Sequence, residues 1–286
     1  MKINEFIPKN TNFARDLEHI PNPPSKLFIR GELPQKRIKT VAIVGTRKPT
    51  NYGREVAAKI ASDLAKNGVV VISGLALGID GIAHRSAIEA GGLTLAVLAN
   101  GLSKIYPSSH KGLAEKILET GGAIISEYEP SAPALPYQFL ERNRLVSGLA
   151  DAVVVVEAAA RSGTLSTATH AIEQGKEVFA VPGNITSPLS AGCNKLIKMG
   201  ATPLLSTNDL LEFLFPNGDE ATQLPLIKGD TPAENTIIEL LSSGIRDGEI
   251  LLKKSGLTAS DFSQAITMLE IKDAVKSLGG NNWGLK

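Results

Sequence analysis

Cysteine is almost absent from this chain, since Cys193 is the only one among its 286 residues. A single thiol cannot form an intramolecular disulfide, and a structural zinc site built from several thiolates is excluded as well. Hydrophobic runs are also short: no stretch reaches the roughly 18 apolar residues of a membrane-spanning helix, and residues 1–21 contain no apolar core of a signal peptide. These absences predict a cytoplasmic protein without a membrane span.

Residue patterns typical of catalysis or metal binding are missing too. The four histidines, at positions 19, 84, 110 and 170, show no metal-ligand spacing, and Cys193 has no obvious histidine partner. No Walker lysine follows a glycine-rich loop. We therefore expect a protein that is not an enzyme and that holds neither a metal nor a cofactor.

Net charge is low, but it is unevenly distributed along the chain. The total is +1, whereas residues 1–146 carry 19 Lys and Arg against 13 Asp and Glu, and residues 147–286 carry 11 against 16. Such an asymmetry is one sign of an anionic partner for the basic half. The alternative is an uneven but merely solvated surface.

Apolar runs alternate with amphipathic stretches from Thr40 to about Ser206. Val- and Ile-rich runs at 41–45, 69–74, 94–99, 123–127, 152–158, 177–183 and 203–206 are separated by helical patterns. Continuous apolar strands are typical of a sheet buried on both faces, and helices between strands indicate parallel pairing. The pattern predicts an α/β fold, a Rossmann-like, doubly wound parallel sheet domain.

The predicted domain organisation has four parts. A short, proline-bearing N-terminal segment, 1–36, precedes the Rossmann-like domain at 37–215. A polar linker is predicted at 216–230. Three helical patterns and a ribbon with a Gly-Gly-Asn turn then predict a small winged-helix domain at 231–286.

Four strand-to-helix loops stand out, because an open parallel sheet binds ligands beyond the carboxyl ends of its strands. The first loop begins Gly45-Thr46-Arg47, lacks the G-x-G-x-x-G spacing of a dinucleotide site, and no acid ends the next strand to hold a ribose. Free N–H groups at Gly45 and Thr46, with the forked Arg47 cation, suit one phosphate. The alternative is a tight turn with a surface arginine.

Two further loops also fit anions. The loop that follows Ser73-Gly74 is glycine-rich and enters a helix at Asp80, which we expect to be an N-cap rather than a catalytic acid. We expect His84, one turn later, to be packed or hydrogen-bonded. The loop at 157–167 places Arg161 and Ser162-Gly163-Thr164 at a helix N-terminus, an anion-holding geometry.

The remaining loop, 135–144, mixes aromatic rings and guanidinium groups in a chain with only 5% aromatic residues. Unpaired bases stack on rings such as Tyr137 and Phe139, and cations such as Arg142 and Arg144 meet the phosphates between them. The alternative is a helix start with core aromatics and an arginine paired with Glu141. Several phosphate-sized sites along one sheet edge suit a nucleic-acid strand better than a single nucleotide.

Together these segments resemble a known bacterial family. The series IVGTR, SGLALGIDGIAH, GGLTLAVLANGL, IYP, SEY, FLERNR, VVVEAAARSGTLSTA and GKEVFAVPG, in this order from about Pro23 to Ser206, is similar to the DNA-processing protein DprA (Smf) family. Leu140 stands where that family usually has Pro, and Thr46 where Ser is common. The N-terminal helical module of many members is reduced here to about 36 residues.

The resemblance implies a sequence-independent single-stranded DNA-binding protein of natural transformation (competence), which protects incoming strands and helps to load RecA for recombination as a homodimer. It implies DNA contacts at Gly45, Thr46, Arg47, Gln138, Phe139, Arg142 and Asn143. With the loop residues derived above, the predicted DNA-binding set is Gly45, Thr46, Arg47, Ser73, Gly74, Gln138, Phe139, Arg142, Asn143, Arg144, Ser162, Gly163 and Thr164.

The rival interpretation is an enzyme similar to the LOG-type nucleotide phosphoribohydrolases, or another nucleotide-binding enzyme. Those enzymes share the sheet and use a P-G-G-x-G-T-x-x-E motif with a catalytic glutamate. Here Gly163-Thr164 is followed by Leu-Ser-Thr, with no glutamate three residues on. The expected base is therefore missing.

The winged-helix segment is poor in cations. Residues 231–286 hold 6 basic and 7 acidic groups, and TASDFSQAITMLE, where a recognition helix is expected, contains no Lys or Arg. Binding to phosphates requires cations. We therefore predict that this domain is mainly a protein-contact or regulatory module.

Overall fold

The computed structural model describes residues 2–216, 229–242, 245–272 and 274–285. The chain divides into two compact units, Met1–Thr222 and Gln223–Lys286. Most of the predicted linker, residues 217–228, lies outside the described residues. Among the described residues, no helix is both long enough and apolar enough to cross a membrane.

Unit 1 is built on a nine-stranded sheet with the spatial order β1-β2-β6-β5-β4-β3-β7-β8-β9. Its strands β3 to β9 run parallel, which confirms the predicted α/β fold class. The strands are β1 (Asn4–Phe6), β2 (Leu27–Gly31), β3 (Thr40–Val44), β4 (Val70–Ser73), β5 (Thr94–Leu98), β6 (Ala123–Ser126), β7 (Ala152–Val155), β8 (Glu177–Ala180) and β9 (Thr202–Pro203).

Helices connect the parallel strands and cover both faces of the sheet. Val44, Val153 and Val155 pack on one face with α4 and α5, whereas Val41 and Val154 pack on the other with α1, α2 and α7. Strands buried on both faces explain the continuous Val and Ile runs of the sequence. The helices are α1 (Asn51–Lys66), α2 (Ile79–Glu89), α3 (Lys111–Glu119), α4 (Pro136–Gly148), α5 (Thr164–Glu173), α6 (Ala191–Lys198) and α7 (Thr207–Leu214).

Helix α1 shows how the sequence sets these boundaries. The Thr50 hydroxyl accepts a hydrogen bond from the Gly53 N–H at 3.1 Å, as an N-cap does. Ala57, Ile60 and Leu64, at helical spacing, are buried against the sheet. The chain leaves the helix at Gly68, whose φ of 71° is readily adopted by glycine.

The N-terminal segment contributes to the same sheet, which the sequence patterns did not predict. Strand β1 pairs antiparallel with β2, and β2 pairs antiparallel with β6, so that residues 4–31 extend one edge. Phe13 and Leu17 are buried beside α4, where a Cβ on Gly148 would lie 2.7 Å from Leu17 Cδ2. The segment is therefore part of the core of unit 1.

The direction of strand addition reverses between β3 and β7. From β3 the chain adds β4, β5 and β6 on one side, and it then returns through α4 to place β7 on the other side of β3. Loops after β3 and β7 diverge at such a switch point and leave a crevice at the carboxyl ends of the strands. The structure has a cleft at this position.

Unit 2 contains α8 (Pro232–Ser242), α9 (Gly248–Ser255), α10 (Ala259–Ile271) and a hairpin of β10 (Val275–Gly279) and β11 (Asn282–Leu285). Its core includes Ile237, Leu251, Phe262 and Leu269. The hairpin turns through Gly279, Gly280 and Asn281, all with positive φ. Three helices and a ribbon with this turn agree with the predicted winged helix.

Candidate nucleic-acid interface

A cleft of about 800 Å³ lies at the carboxyl ends of β3 and β7, and we call it the central cleft. Four predicted loops, together with the loop that precedes α3, contribute to its walls. Its lining includes Gly45, Thr46, Arg47, Lys48, Ala76, Asp80, Tyr106, Phe139, Arg142, Asn143, Ser162, Gly163 and Thr164. The structure therefore brings together nine of the thirteen predicted DNA-binding residues.

The exposed part of the cleft combines a cation with two aromatic rings. The Arg47 guanidinium lies over the Phe139 ring, 5.4 Å from its centroid, and makes no ion pair with any described residue. Tyr106 packs against Phe139 in an edge-to-face arrangement, with centroids 5.6 Å apart. Phe139 is half-buried, whereas 48% of the surface of Tyr106 is exposed. Lys48, also exposed, adds a second cation to the lining.

The Thr46 N–H of the first loop is not free, contrary to the prediction. The Thr46 N–H donates to the Glu157 carbonyl at 2.8 Å, and the N-terminus of α1 is occupied by the Glu157 carboxylate. That carboxylate accepts from the Thr50 N–H at 2.9 Å and from the Thr50 hydroxyl, and Glu157 is 2% exposed. An internal carboxylate therefore already lies at this helix end, and the charged groups that the first loop presents to the cleft are the side chains of Arg47 and Lys48.

Arg142 also lines the cleft, but its side chain is buried and hydrogen-bonded to the protein backbone. Arg142 donates through Nη1 to the Gly74 carbonyl at 2.8 Å and to the Val97 carbonyl, at the ends of β4 and β5. Burial lowers the pKa of Arg142 to about 10, and the nearby Asp80 charge acts in the opposite direction. A Cβ at position 74 would lie 2.5 Å from Arg142 Nη2, so the position of this guanidinium requires a glycine there.

Asp80 does not cap α2, contrary to the prediction. The helix starts at Ile79 with Gly78 as its N-cap, so Asp80 lies in the first turn, and its Oδ2 accepts from the Gly74 N–H at 3.1 Å and the Ala76 N–H at 3.3 Å. Burial raises the pKa of the Asp80 carboxyl, which Arg142 and these two N–H donors oppose. The carboxylate thus holds the loop after β4 in place.

His84 is packed and hydrogen-bonded, as the sequence predicted. Its Nδ1 lies 2.6 Å from the Thr94 hydroxyl, and the side chain is fully buried. Burial lowers the pKa of His84 to about 3, which keeps the imidazole neutral at physiological pH.

The loop before α5 reaches the cleft with its hydroxyls and backbone. The Thr164 hydroxyl donates to the Gly45 carbonyl at 3.0 Å, which ties this loop to the first one. The N–H groups of residues 164–166 donate to Ser162 and Gly163. Contrary to the prediction, these N–H groups are therefore not available to an anion. The Asn143 amide, from α4, contacts this loop by donating to the Ser166 hydroxyl at 2.8 Å.

Three predicted residues lie away from the cleft lining. The Gln138 amide oxygen accepts from the Leu135 N–H at 2.7 Å and so caps α4, and the Ser73 hydroxyl donates to the Ile43 carbonyl at 2.6 Å. Arg144 donates through Nη2 to both carboxylate oxygens of Glu127, at 2.7 and 2.6 Å. These side chains stabilise the fold around the cleft. Gly74 faces a small recess beside it, which Tyr106 and Phe139 also line.

Sequence reasoning did not select Tyr106 or Lys48 as site residues. Tyr106 follows β5, a strand whose carboxyl end faces the cleft, and Lys48 follows Arg47 directly. An aromatic residue in a strand-to-helix loop and a second cation in the first loop were the available signals.

The described residues contain no group of three or more His, Cys, Asp or Glu side chains that are placed to hold a metal ion. Cys193 is buried, its thiol donates weakly to the Val155 carbonyl at 3.5 Å, and burial raises its pKa to about 11. A thiol with a raised pKa is a poor nucleophile.

Comparison with known proteins gives the same assignment over most of the chain. The family described as DNA recombination-mediator protein A matches residues 5–215, and the DprA winged helix domain matches residues 221–281. Protein Smf from Escherichia coli is 47% identical over 191 residues, which are 67% of this chain and 51% of that protein. The chain thus spans about half the length of this curated relative.

Two solved structures share the fold. DNA processing protein A from Streptococcus pneumoniae is 38% identical with a TM-score of 0.70, over 75% of each chain. The homologue from Helicobacter pylori, whose structure is described as giving insight into a unique single-stranded DNA binding mode, is 32% identical with a TM-score of 0.67, over 76% of this chain and 97% of that one. The chain belongs to the DNA-processing protein A (DprA, Smf) family.

Proposed function

We propose that this chain binds single-stranded DNA in the central cleft without regard to base sequence. The observation that carries the proposal is the exposed Arg47 guanidinium, which has no acidic partner among the described residues and lies against Phe139, next to the exposed Tyr106. Cations bind the phosphates of any sequence, and rings stack on any base. The single-stranded DNA binding described for the Helicobacter pylori relative supports the same ligand.

The proposed contacts divide into two kinds. Arg47 and Lys48 neutralise phosphates, while Phe139 and the face of Arg47 offer surfaces to a base. Asn143, Ser162, Gly163 and Thr164 also line the cleft and offer polar groups to the DNA backbone. Arg142 and Asp80 do not contact the DNA in this proposal. They hold the ends of β4 and β5 and the loop after β4 in place.

We further propose the wider role that the family membership suggests: a homodimer in the cytoplasm that protects incoming single strands and assists the loading of RecA during natural transformation. The family description as a recombination mediator supports this role. The expected result is that the protein accelerates RecA assembly on single strands coated with a single-strand-binding protein and sediments as a dimer. A protein that leaves the rate of RecA assembly unchanged would remove this part of the proposal.

The test of DNA binding is a fluorescence anisotropy titration of two single strands of unrelated sequence and of the matching duplex, at two salt concentrations. We expect equal affinity for the two single strands, weaker binding of the duplex, and a steep loss of affinity with salt, since each neutralised phosphate of a single strand contributes about −0.7 to the slope of log K against log salt. Preference for the duplex, or for one of the two sequences, would contradict the proposal.

The same preparation separates this function from a nucleotide phosphoribohydrolase. Incubation with nucleoside monophosphates is expected to release no free base, because Leu165-Ser166-Thr167 follows Gly163-Thr164 where that motif requires a glutamate. Release of free base at a steady rate would support the enzyme instead.

A further inference from the structure

A second cavity, of about 510 Å³, shares Tyr106 with the central cleft, and we call it the side groove. It lies between the loop that follows β5, residues 100–108, and the loop that precedes α4, residues 130–134. Tyr106 lines the central cleft, the side groove and the recess between them. The two cavities thus share one exposed aromatic residue.

Backbone hydrogen bonds join the two loops that form the side groove. The Gly101 N–H donates to the Ala132 carbonyl at 3.0 Å, and the Ser103 N–H donates to the Pro130 carbonyl at 2.9 Å. The buried Asn100 amide closes the first loop by donating to the Lys104 carbonyl at 2.7 Å. The groove is therefore formed before any ligand arrives, which reduces the entropy that binding must offset.

The charge of the side groove is positive. Lys104 is exposed, and among the described residues that line the groove it alone carries a charge. It makes no ion pair with a described residue, and the nearby carboxylate of Glu129 pairs with Lys26 at 3.0 Å. An unpaired lysine beside an apolar wall suits a phosphate group with an attached base.

Tyr106 and Phe139 are oriented so that each serves a different base. Their ring planes are inclined at 61°, so one planar base cannot stack on both. Two successive bases can do so only if they are unstacked from each other, which single-stranded DNA permits and a duplex does not. Tyr106, with 48% of its surface exposed, has room for such a contact on the side of the groove.

We infer that the side groove is a second nucleotide subsite for the same DNA strand: Tyr106 stacks the base next to the one held at Phe139, and Lys104 neutralises the adjoining phosphate. The inference rests on the proposed function, because the strand must first occupy the central cleft. It adds a direction, with the strand leaving the cleft past Tyr106 and turning between the two rings.

The test measures the affinity of the full chain for a series of oligo-dT strands that lengthen by one nucleotide at a time. The shortest strand whose binding is weakened by Arg47→Ala defines occupation of the central cleft. For longer strands, Lys104→Ala is expected to weaken binding about threefold, as an exposed ion pair does, and Lys104→Arg should restore it. Lys116→Ala, which removes an exposed lysine of α3 away from the groove, is the matched control.

A second variant tests the ring itself. Tyr106→Leu keeps an apolar side chain against Phe139 but removes the stacking surface, so binding of the longer strands should weaken about tenfold. Tyr106→Phe should bind like the wild type. Equal weakening of the shortest and the longer strands by Tyr106→Leu would mean that the ring acts only through Phe139, and it would overturn the inference.

These outcomes separate the inference from the proposed function. If the wild type binds single strands, and Arg47→Ala weakens them while Lys104→Ala has no effect at any length, the side groove is not a subsite and the proposed function stands. If the wild type binds no single strand of any length, the proposed function itself has failed.

Discussion

At the scale of single residues, the site separates side chains that contact a ligand from those that hold the site together. Arg47 is exposed and Arg142 is buried, although the sequence offers both as phosphate-binding cations. The residue type gave no means to distinguish them, because burial depends on how β4, β5 and α4 pack together. Arg142 holds the ends of two strands by their carbonyl groups, at Gly74 and Val97.

Replacement of Arg142 therefore tests stability more than binding. Arg142→Met should lower the free energy of unfolding of unit 1 by about 3 kcal/mol, because the buried Asp80 loses its opposing charge. Without Arg142, the pKa of Asp80 in the folded protein rises further above its value in the unfolded chain. Between these two pKa values the folded protein keeps a proton that the unfolded chain releases, so the free energy of unfolding falls as the pH rises. In urea unfolding followed by circular dichroism, the deficit should be smaller at about pH 5 than at about pH 8. Arg85→Met, at an exposed position of α2, should show no such trend.

Phe139 is the residue whose ring the sequence singled out for stacking. Phe139→Ala should weaken binding of single strands by about 1–3 kcal/mol if a base stacks there. The measurement is a titration at fixed salt, with Leu140→Ala, on the same turn of α4 and also exposed to the cleft, as the comparison. Equal and small effects of both substitutions would show that the ring makes no special contribution.

At the scale of secondary-structure elements, the sequence predicted the regular part of the sheet well. Strands β3 to β8 are continuous Val, Ile, Leu and Ala runs, and each was expected within a few residues of its position. The sequence did not reveal β1 and β2, because NEF and LFIRG are short and pair antiparallel with distant partners. Helix α7 was also missed, since it follows directly on the short edge strand β9.

The helix N-termini illustrate a second limit of sequence reasoning. A glycine or threonine before a helix suggests free N–H groups, but the sequence does not show whether a distant carboxylate occupies them. Glu157, more than 100 residues after Thr50, fills the N-terminus of α1. Gly53 leaves the space that its carboxylate needs, because a Cβ there would overlap Glu157 Oε2.

Glu157→Gln should consequently act on stability. Loss of the negative charge of this buried side chain at the N-terminus of α1 should lower the free energy of unfolding by about 1–2 kcal/mol. Single-strand affinity should stay within about twofold of the wild type, because the contacts that we propose lie at Arg47 and Lys48. Denaturant unfolding and anisotropy titration on the same preparation check both expectations. A large loss of affinity at full stability would assign Glu157 a direct part in binding.

At the scale of the whole molecule, the low net charge conceals a local difference. The cations that face the central cleft, Arg47 and Lys48, belong to the basic half of the chain. The winged helix presents no Lys or Arg on α10, whose exposed side chains include Asp261 and Glu270. Nearby, Lys272 is paired with Glu234 and Asp230, each at 2.8 Å.

Unit 2 is accordingly expected to contribute little to DNA binding. Deletion of residues 217–286 should leave most of the single-strand affinity in place, because unit 1 has its own core and contains the whole central cleft. The measurement compares dissociation constants of the deleted and the full chain at the same salt, after circular dichroism has shown that the deleted chain is folded. Loss of most of the affinity from a folded protein would assign DNA binding to the winged helix.

We propose that an exposed arginine at the sheet's switch point, Arg47, binds the phosphates of any single strand. The most direct test of this proposal is the salt dependence of binding of two unrelated single strands by Arg47→Ala, with Arg85→Ala as the exposed control. We expect weaker binding of both sequences alike and a slope of log K against log salt that is smaller by about 0.7, with no change in the control. Unchanged affinity and slope in Arg47→Ala would contradict this proposal.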